Sequence, residues 1–121
     1  MYNSTPVMSA ISTHVIDTTR GVPAVGMSVV LERRAGQGEW YGVGRGETDV
    51  DGRMRSLMPD GAAIVPGFYR LIFDTRRYFN TIGVRGFYPQ VVVIFETVAG
   101  EKHYHVPLLL GQFGYTTYRG S

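Results

Sequence analysis

The chain has 121 residues, of which 44% are hydrophobic and 18% charged, a balance that excludes a disordered polymer and points to one soluble globular domain. A domain of this size buries roughly two thirds of the surface its unfolded chain exposes, so one substantial core is available. The formal net charge of +2 comes from eleven scattered arginines and one lysine, Lys102, and only Arg33-Arg34 and Arg76-Arg77 are adjacent, which argues against a nucleic-acid partner.

The opening Met1-Tyr2-Asn3-Ser4-Thr5-Pro6 has neither the basic start nor the apolar stretch of a signal peptide, so a cytoplasmic location is expected. Residues 1–9 read as a flexible N-terminal segment before a single domain spanning 10–121. Alternating apolar and polar residues predict strands near 10–16, 27–34, 40–48, 53–57, 67–73, 87–97, 102–110 and 112–118. Turns are expected at Gly21-Val22-Pro23, Ala35-Gly36-Gln37-Gly38, Asp49-Val50-Asp51-Gly52 and Ala99-Gly100-Glu101. The stretch 74–83 breaks the alternation and predicts one short helix, with Thr75 as N-cap and Gly83 at its end. The longest apolar run, Val91 to Phe95, is strand-sized, whereas a membrane-spanning helix needs about 20 residues, so no membrane partner is expected. The final Tyr118-Arg119-Gly120-Ser121 continues a strand-like segment and is expected to be ordered.

Strand faces are more informative than strand positions. Within 102–110, Tyr104, Val106 and Leu108 point one way, while His103, His105, Pro107 and Leu109 point the other. The first strand likewise sets Ile11, Thr13 and Val15 against Ala10, Ser12, His14 and Ile16. If 112–118 pairs with 102–110, the small members of Gln112, Gly114, Thr116 and Tyr118 leave space beside the histidines. A shallow polar pocket on an otherwise apolar face follows.

His103-x-His105 has a spacing that suits a metal, but two ligands are too few, and no metal site is expected. His14 and His105 make a better acid-base pair, since imidazole titrates near neutrality. Arg53, directly after the Asp51-Gly52 turn, can grip planar oxygen-rich groups in bidentate fashion. Absence of cysteine removes disulfides, thiolate ligands and a cysteine nucleophile. Gly42-x-Gly44-x-Gly46 is half a dinucleotide fingerprint, but no helix pattern follows it. Neither Ser12 nor Ser121 lies in a nucleophile elbow, so a serine hydrolase is rejected.

Four stretches carry a family resemblance: Ile11-Ser12-Thr13-His14-Val15-Ile16-Asp17, Thr48-Asp49-Val50-Asp51-Gly52-Arg53, Phe87-Tyr88-Pro89, and His103 to Leu110 running on to Tyr118-Arg119-Gly120-Ser121. From about residue 10 to the end, the chain resembles the transthyretin-like 5-hydroxyisourate hydrolases of purine catabolism. The terminal Tyr-Arg-Gly-Ser separates these enzymes from hormone-carrying transthyretins. Departures are Gly111-Gln112 in place of the usual Leu-Ser-Pro, and Thr116 where Ser is common. The resemblance implies an all-β, prealbumin-like sandwich of two four-stranded sheets with one short helix, assembled as a homotetramer, a dimer of dimers with sites along its channel. It implies hydrolysis of 5-hydroxyisourate to 2-oxo-4-hydroxy-4-carboxy-5-ureidoimidazoline without a cofactor. The implied catalytic residues are His14, Arg53, His105 and Ser121; His14, Arg53 and Tyr118 are the implied substrate-binding residues. His103 matches only part of the family. The competing reading is a transthyretin-like carrier that binds a small aromatic ligand without turning it over.

Overall fold

Residues 10–55 and 57–121 are described by the computed structural model, so the segment expected to be flexible over 1–9 lies outside the described residues. The alternating stretches become β1 (Ile11–Asp17), β2 (Val22–Pro23), β3 (Ser28–Ala35), β4 (Glu39–Glu47), β5 (Arg53–Met54), β6 (Gly67–Phe73), β7 (Val91–Thr97), β8 (Tyr104–Leu110) and β9 (Tyr115–Thr117). A single helix among the described residues, α1 (Thr75–Thr81), stands between β6 and β7. One sheet runs β2-β1-β8-β9, with β5 also pairing on β1, and the other runs β4-β3-β6-β7. The expected sandwich is present, but the first sheet has five strands rather than four. The extra strand arises because β2 and β5 share one edge of β1: Asp17 pairs with Val22, while His14 pairs with Arg53.

Several boundaries differ from the sequence reading for identifiable reasons. Val22–Pro23 pairs as β2 where a turn is expected, since two residues are too few to show a period. Only Arg53–Met54 of the stretch 53–57 is strand, and Ser56 lies outside the described residues. The strand expected from 87 begins at Val91, because the preceding loop is tied to the helix start. Thr75 Oγ1 donates to the Tyr88 carbonyl at 2.5 Å, and the Arg76 amide donates to Pro89 O at 3.1 Å. Thr75 is therefore occupied, and the N-cap is Asp74, whose carboxylate accepts from the Arg77 amide. The stretch 112–118 narrows to Tyr115–Thr117, because the Gly111 amide turns back to the Gly114 carbonyl at 2.8 Å. Gly42, Gly44 and Gly46 lie inside β4, which removes the phosphate-loop reading.

The inner faces follow the alternation. Ile11, Val15, Tyr104, Val106, Leu108 and Leu110 from one sheet meet Val29, Leu31, Tyr69, Leu71 and Phe73 from the other, all buried. Each large side chain removed from water in this way contributes about 1.5–3 kcal/mol. Tyr69, Phe95 and Tyr104 form a ring chain across the sandwich, with centroids 6.1 Å apart at both steps. No described helix is long and apolar enough to cross a membrane.

One buried polar knot fastens α1 to the end of β1. The Asp17 carboxylate, wholly buried, accepts from Tyr78 Oη at 2.7 Å, from the Arg20 amide at 3.0 Å and from Arg20 Nε at 3.1 Å. Burial pushes this carboxyl up, but the bonds from Tyr78 and Arg20 outweigh it and hold the carboxyl below the usual aspartate range. A depressed folded-state value means that the stabilisation is present above the unfolded carboxyl's range and is lost as pH falls through the folded one. Asp17→Ala should cost about 2–4 kcal/mol in urea unfolding at pH 7, with the deficit shrinking below about pH 4 as wild type loses the same contribution. A variant within 0.5 kcal/mol of wild type, roughly the surface-substitution range, would show that the knot adds nothing.

Candidate active site

The outer face of the five-stranded sheet is built by register. His14 on β1 pairs with Arg53 on β5, and the parallel partner of β1 on its other side, β8, sets Ser12 against His105 and His14 against Pro107. Neighbouring strands lie about 4.8 Å apart, so Arg53, His14 and His105 fall on one face within about 10 Å. Each is half-buried.

Arg53 is placed by the turn before it. Asp49 Oδ1 accepts the amides of Asp51 and Arg53, both at 2.9 Å, and the Gly52 amide closes on Asp49 O at 2.9 Å. Gly52 has φ +76°, and a Cβ there would stand 2.4 Å from Val15 O, so only glycine fits between turn and strand. The Val15 amide in turn donates to Gly52 O at 2.8 Å, docking the turn on β1. This brings the Asp51 carbonyl to 2.9 Å from His14 Nε2. A carbonyl only accepts, so Nε2 carries the proton, and Nδ1 of a neutral His14 keeps a free lone pair.

His105 is held by Ser12 and by Gly120. Its Nδ1 lies 2.9 Å from the hydroxyl of Ser12, a residue almost wholly buried. Its carbonyl accepts the Gly120 amide at 2.8 Å, and a Cβ on Gly120 would stand 2.7 Å from His105 Cδ2. The space beside the histidine is thus left by Gly120, not by Gly114 as the strand reading expects. Burial holds the imidazole below the ordinary histidine value, and positive charge on His14 and Arg53 pushes the same way. Both effects disfavour the charged form of His105.

The tail runs antiparallel to β8. Thr117 pairs with Leu108 and Gly120 bridges to His105, and that register sets Tyr118 opposite Pro107 on the histidine face. Tyr118 is exposed, and Ser121, also exposed, follows Gly120. Arg119 turns to the other side, its guanidinium 4.6 Å from the Tyr104 ring centroid and 3.6 Å from the Glu101 carboxylate. His103 precedes β8, is exposed and gives its carbonyl to Arg119 Nη2 at 3.4 Å, remote in role from the face. Among the described residues no group of three or more His, Cys, Asp or Glu is placed to hold a metal ion. A concavity of about 710 Å³ beside α1, lined by Arg76, Asn80 and Phe87, shares no residue with this face.

Register therefore joins Arg53, His14 and His105, with Tyr118 flanking them, and leaves out His103. Sequence reasoning missed two supports, the Asp51 carbonyl and the Ser12 hydroxyl. Alternation already put Ser12 on the face of His14, but its partner depended on which strand lies beside β1.

A two-sheet β-sandwich with this polar face defines a transthyretin-type protein. The chain belongs to the HIUase/transthyretin family, whose model matches residues 11–120. It is 47% identical to the 5-hydroxyisourate hydrolase of Salmonella typhimurium over 111 residues, covering 92% of this chain and 80% of that protein. It is 43% identical to the mouse 5-hydroxyisourate hydrolase over 114 residues, covering 93% and 96%. Among solved structures, Klebsiella pneumoniae 5-hydroxyisourate hydrolase superposes with a TM-score of 0.81 at 32% identity, covering 94% of this chain and 100% of that one. Sea bream transthyretin in complex with thyroxine gives 0.85 at 28% identity, covering 92% and 94%. Backbone shape is shared by enzyme and carrier, so the side chains must decide between them.

The charges facing His105 give a direct check. Its imidazole should titrate below the free-histidine value of about 6.5 in an NMR titration, and Arg53→Gln should move the midpoint upward. An unchanged midpoint would place Arg53 away from His105.

Proposed function

We propose that the chain hydrolyses 5-hydroxyisourate, opening its six-membered ring to give 2-oxo-4-hydroxy-4-carboxy-5-ureidoimidazoline. The observation that carries this reading is the convergence of His14, Arg53 and His105 on one sheet face, in a chain 47% identical to a 5-hydroxyisourate hydrolase. A carrier needs no pair of imidazoles beside a guanidinium.

In the mechanism, water attacks the ring amide carbonyl while one imidazole takes its proton. The C–N bond then breaks, and the departing ring nitrogen receives that proton, so water is consumed and the enzyme is restored. Arg53 holds the substrate's oxygens and offsets charge growing on the carbonyl oxygen, a stabilisation of about 3–4 kcal/mol by analogy with one oxyanion donor. Tyr118 and Ser121 position the ring and the water. Support for their place comes from the bridge between Gly120 and His105, which draws the tail alongside the imidazole.

A homotetramer, arranged as a dimer of dimers with the histidine face lining a channel, is part of the same proposal. Exposed aromatic surface supports it: Phe87 is 68% and Phe113 73% exposed, and Tyr88 packs edge-on against both Phe87 and Tyr115. Such a cluster on one surface is the kind of patch that association covers. Light scattering should give a particle of four chains of 13.4 kDa, and a fully active monomer would contradict the shared channel.

The decisive assay follows the absorbance decay of freshly made 5-hydroxyisourate with and without protein, after subtracting spontaneous decay. Arg53→Glu should lower turnover by about a hundredfold or more at an unchanged thermal midpoint. Wild-type turnover in that variant would remove Arg53 from the site. His14→Asn and His105→Asn should each impair turnover severely, and the double variant should be little worse than the poorer single one. Full additivity would argue that the two imidazoles do not act in one step.

A further inference from the structure

The two histidines are held by chemically different partners. His14 Nε2 faces a carbonyl, which cannot donate, so its tautomer is fixed with Nδ1 as the basic atom. His105 Nδ1 faces a hydroxyl, which can either donate or accept, and here hydrogen-bond accounting decides.

Ser12 is 3% exposed, and among the described residues His105 Nδ1 is the sole hydrogen-bond partner of its hydroxyl oxygen. Were His105 to donate from Nδ1, the serine proton would have no acceptor in a nearly dry position, a loss of about 1–3 kcal/mol. With the hydroxyl donating instead, the serine proton is satisfied and Nδ1 accepts it. Ring orientation agrees. Cδ2 is on the Gly120 side of the ring, where a Cβ on that glycine would stand 2.7 Å from it, and a flipped ring would turn Nδ1 towards Gly120 and a C–H towards the Ser12 hydroxyl. Nε2 must then carry the proton of the neutral imidazole, and it has no partner among the described residues.

We infer that Ser12 is a positioning residue that locks His105 in its Nε2–H tautomer, which makes His105 the hydrogen-bond donor to the substrate carbonyl and leaves His14 as the base. This division of labour rests on the hydrolase reading above. His14 Nδ1 takes the proton from the attacking water as the new C–O bond forms, and His105 Nε2–H binds the resulting oxyanion without surrendering its proton. When the C–N bond breaks, the electron pair goes to the ring nitrogen, and protonated His14 delivers the proton there. Both imidazoles finish as they began. A neutral imidazole polarising a carbonyl is an established catalytic device, and burial close to the Arg53 guanidinium disfavours charge on His105.

The test is ¹⁵N NMR of the full-length protein labelled at histidine, combined with kinetics of Ser12 variants on 5-hydroxyisourate. His105 Nδ1 should resonate as an unprotonated, hydrogen-bonded nitrogen and Nε2 as a protonated one. Ser12→Ala should mix the two tautomers and lower kcat about tenfold to a hundredfold with KM nearly unchanged, whereas Ser12→Thr, which keeps the hydroxyl, should restore most of kcat. A protonated Nδ1 in the wild type would overturn the assignment. So would a Ser12→Ala variant that loses only thermal stability, with tautomer and kcat intact. Absence of wild-type hydrolysis together with an Nε2–H His105 would sink the proposed function and still support the Ser12 contact.

Discussion

The parallel pairing of β1 with β8 is the contact on which the site depends. Every other strand pair in the molecule's described part is antiparallel, and this one joins segments 93 residues apart, setting Ser12 beside His105. Its inner face is held by Ile11, Val15, Val106 and Leu108, buried against the opposite sheet. Because side chains alternate along a strand, burying these residues commits Ser12, His14 and His105 to the outer face. A slip of one residue would send the histidines into the core, so the hydrophobic effect that closes the sandwich also fixes the chemistry's geometry.

Two short appendages complete the face from opposite sides. On one side the Asp49 to Gly52 turn docks on Val15, delivering Arg53 and the Asp51 carbonyl to His14. On the other, the tail bridges to His105 through Gly120, while Arg119 reaches around the edge to the Tyr104 ring and Glu101. Neither appendage has a core of its own. Each is ordered by backbone hydrogen bonds to a strand that the core has already placed, so the polar face is fixed before a ligand arrives.

Much of this was legible in the chain. Alternation identified β1, β3, β4, β6 and β8 and sorted Tyr104, Val106 and Leu108 from His105, since a half-buried strand writes its burial into a period of two. The helix between β6 and β7 is also legible, but the sequence places its cap one residue late, because Asp74 and Thr75 are both capping types and only the Tyr88 carbonyl, which takes the Thr75 hydroxyl, distinguishes them. Two-residue strands leave no period to read, so in the sequence β2 reads as a turn and β5 as a longer strand. The motif resemblance supplied the grouping of Arg53 with the histidines; alternation alone could not, because strand order is a tertiary fact. Alternation puts Ser12 on the face of His14, but its contact with His105 depends on which strand lies beside β1.

Since enzyme and carrier share this backbone, the proposed hydrolysis stands or falls on its place, which we put on the outer face between β5, β1 and β8. The sandwich offers a competing location, an apolar groove of about 240 Å³ at the open edge, lined by Val93, Phe95, Val106, Thr117 and also Tyr118, so contacts to Arg53 and the two histidines are what distinguish the two places. A crystal structure with a stable purine analogue of the substrate tests the claim most directly. The ligand should lie within hydrogen-bond reach of Arg53, of His14 Nδ1 and of His105 Nε2, with Tyr118 alongside. Density in the edge groove, with the histidine face untouched, would contradict it.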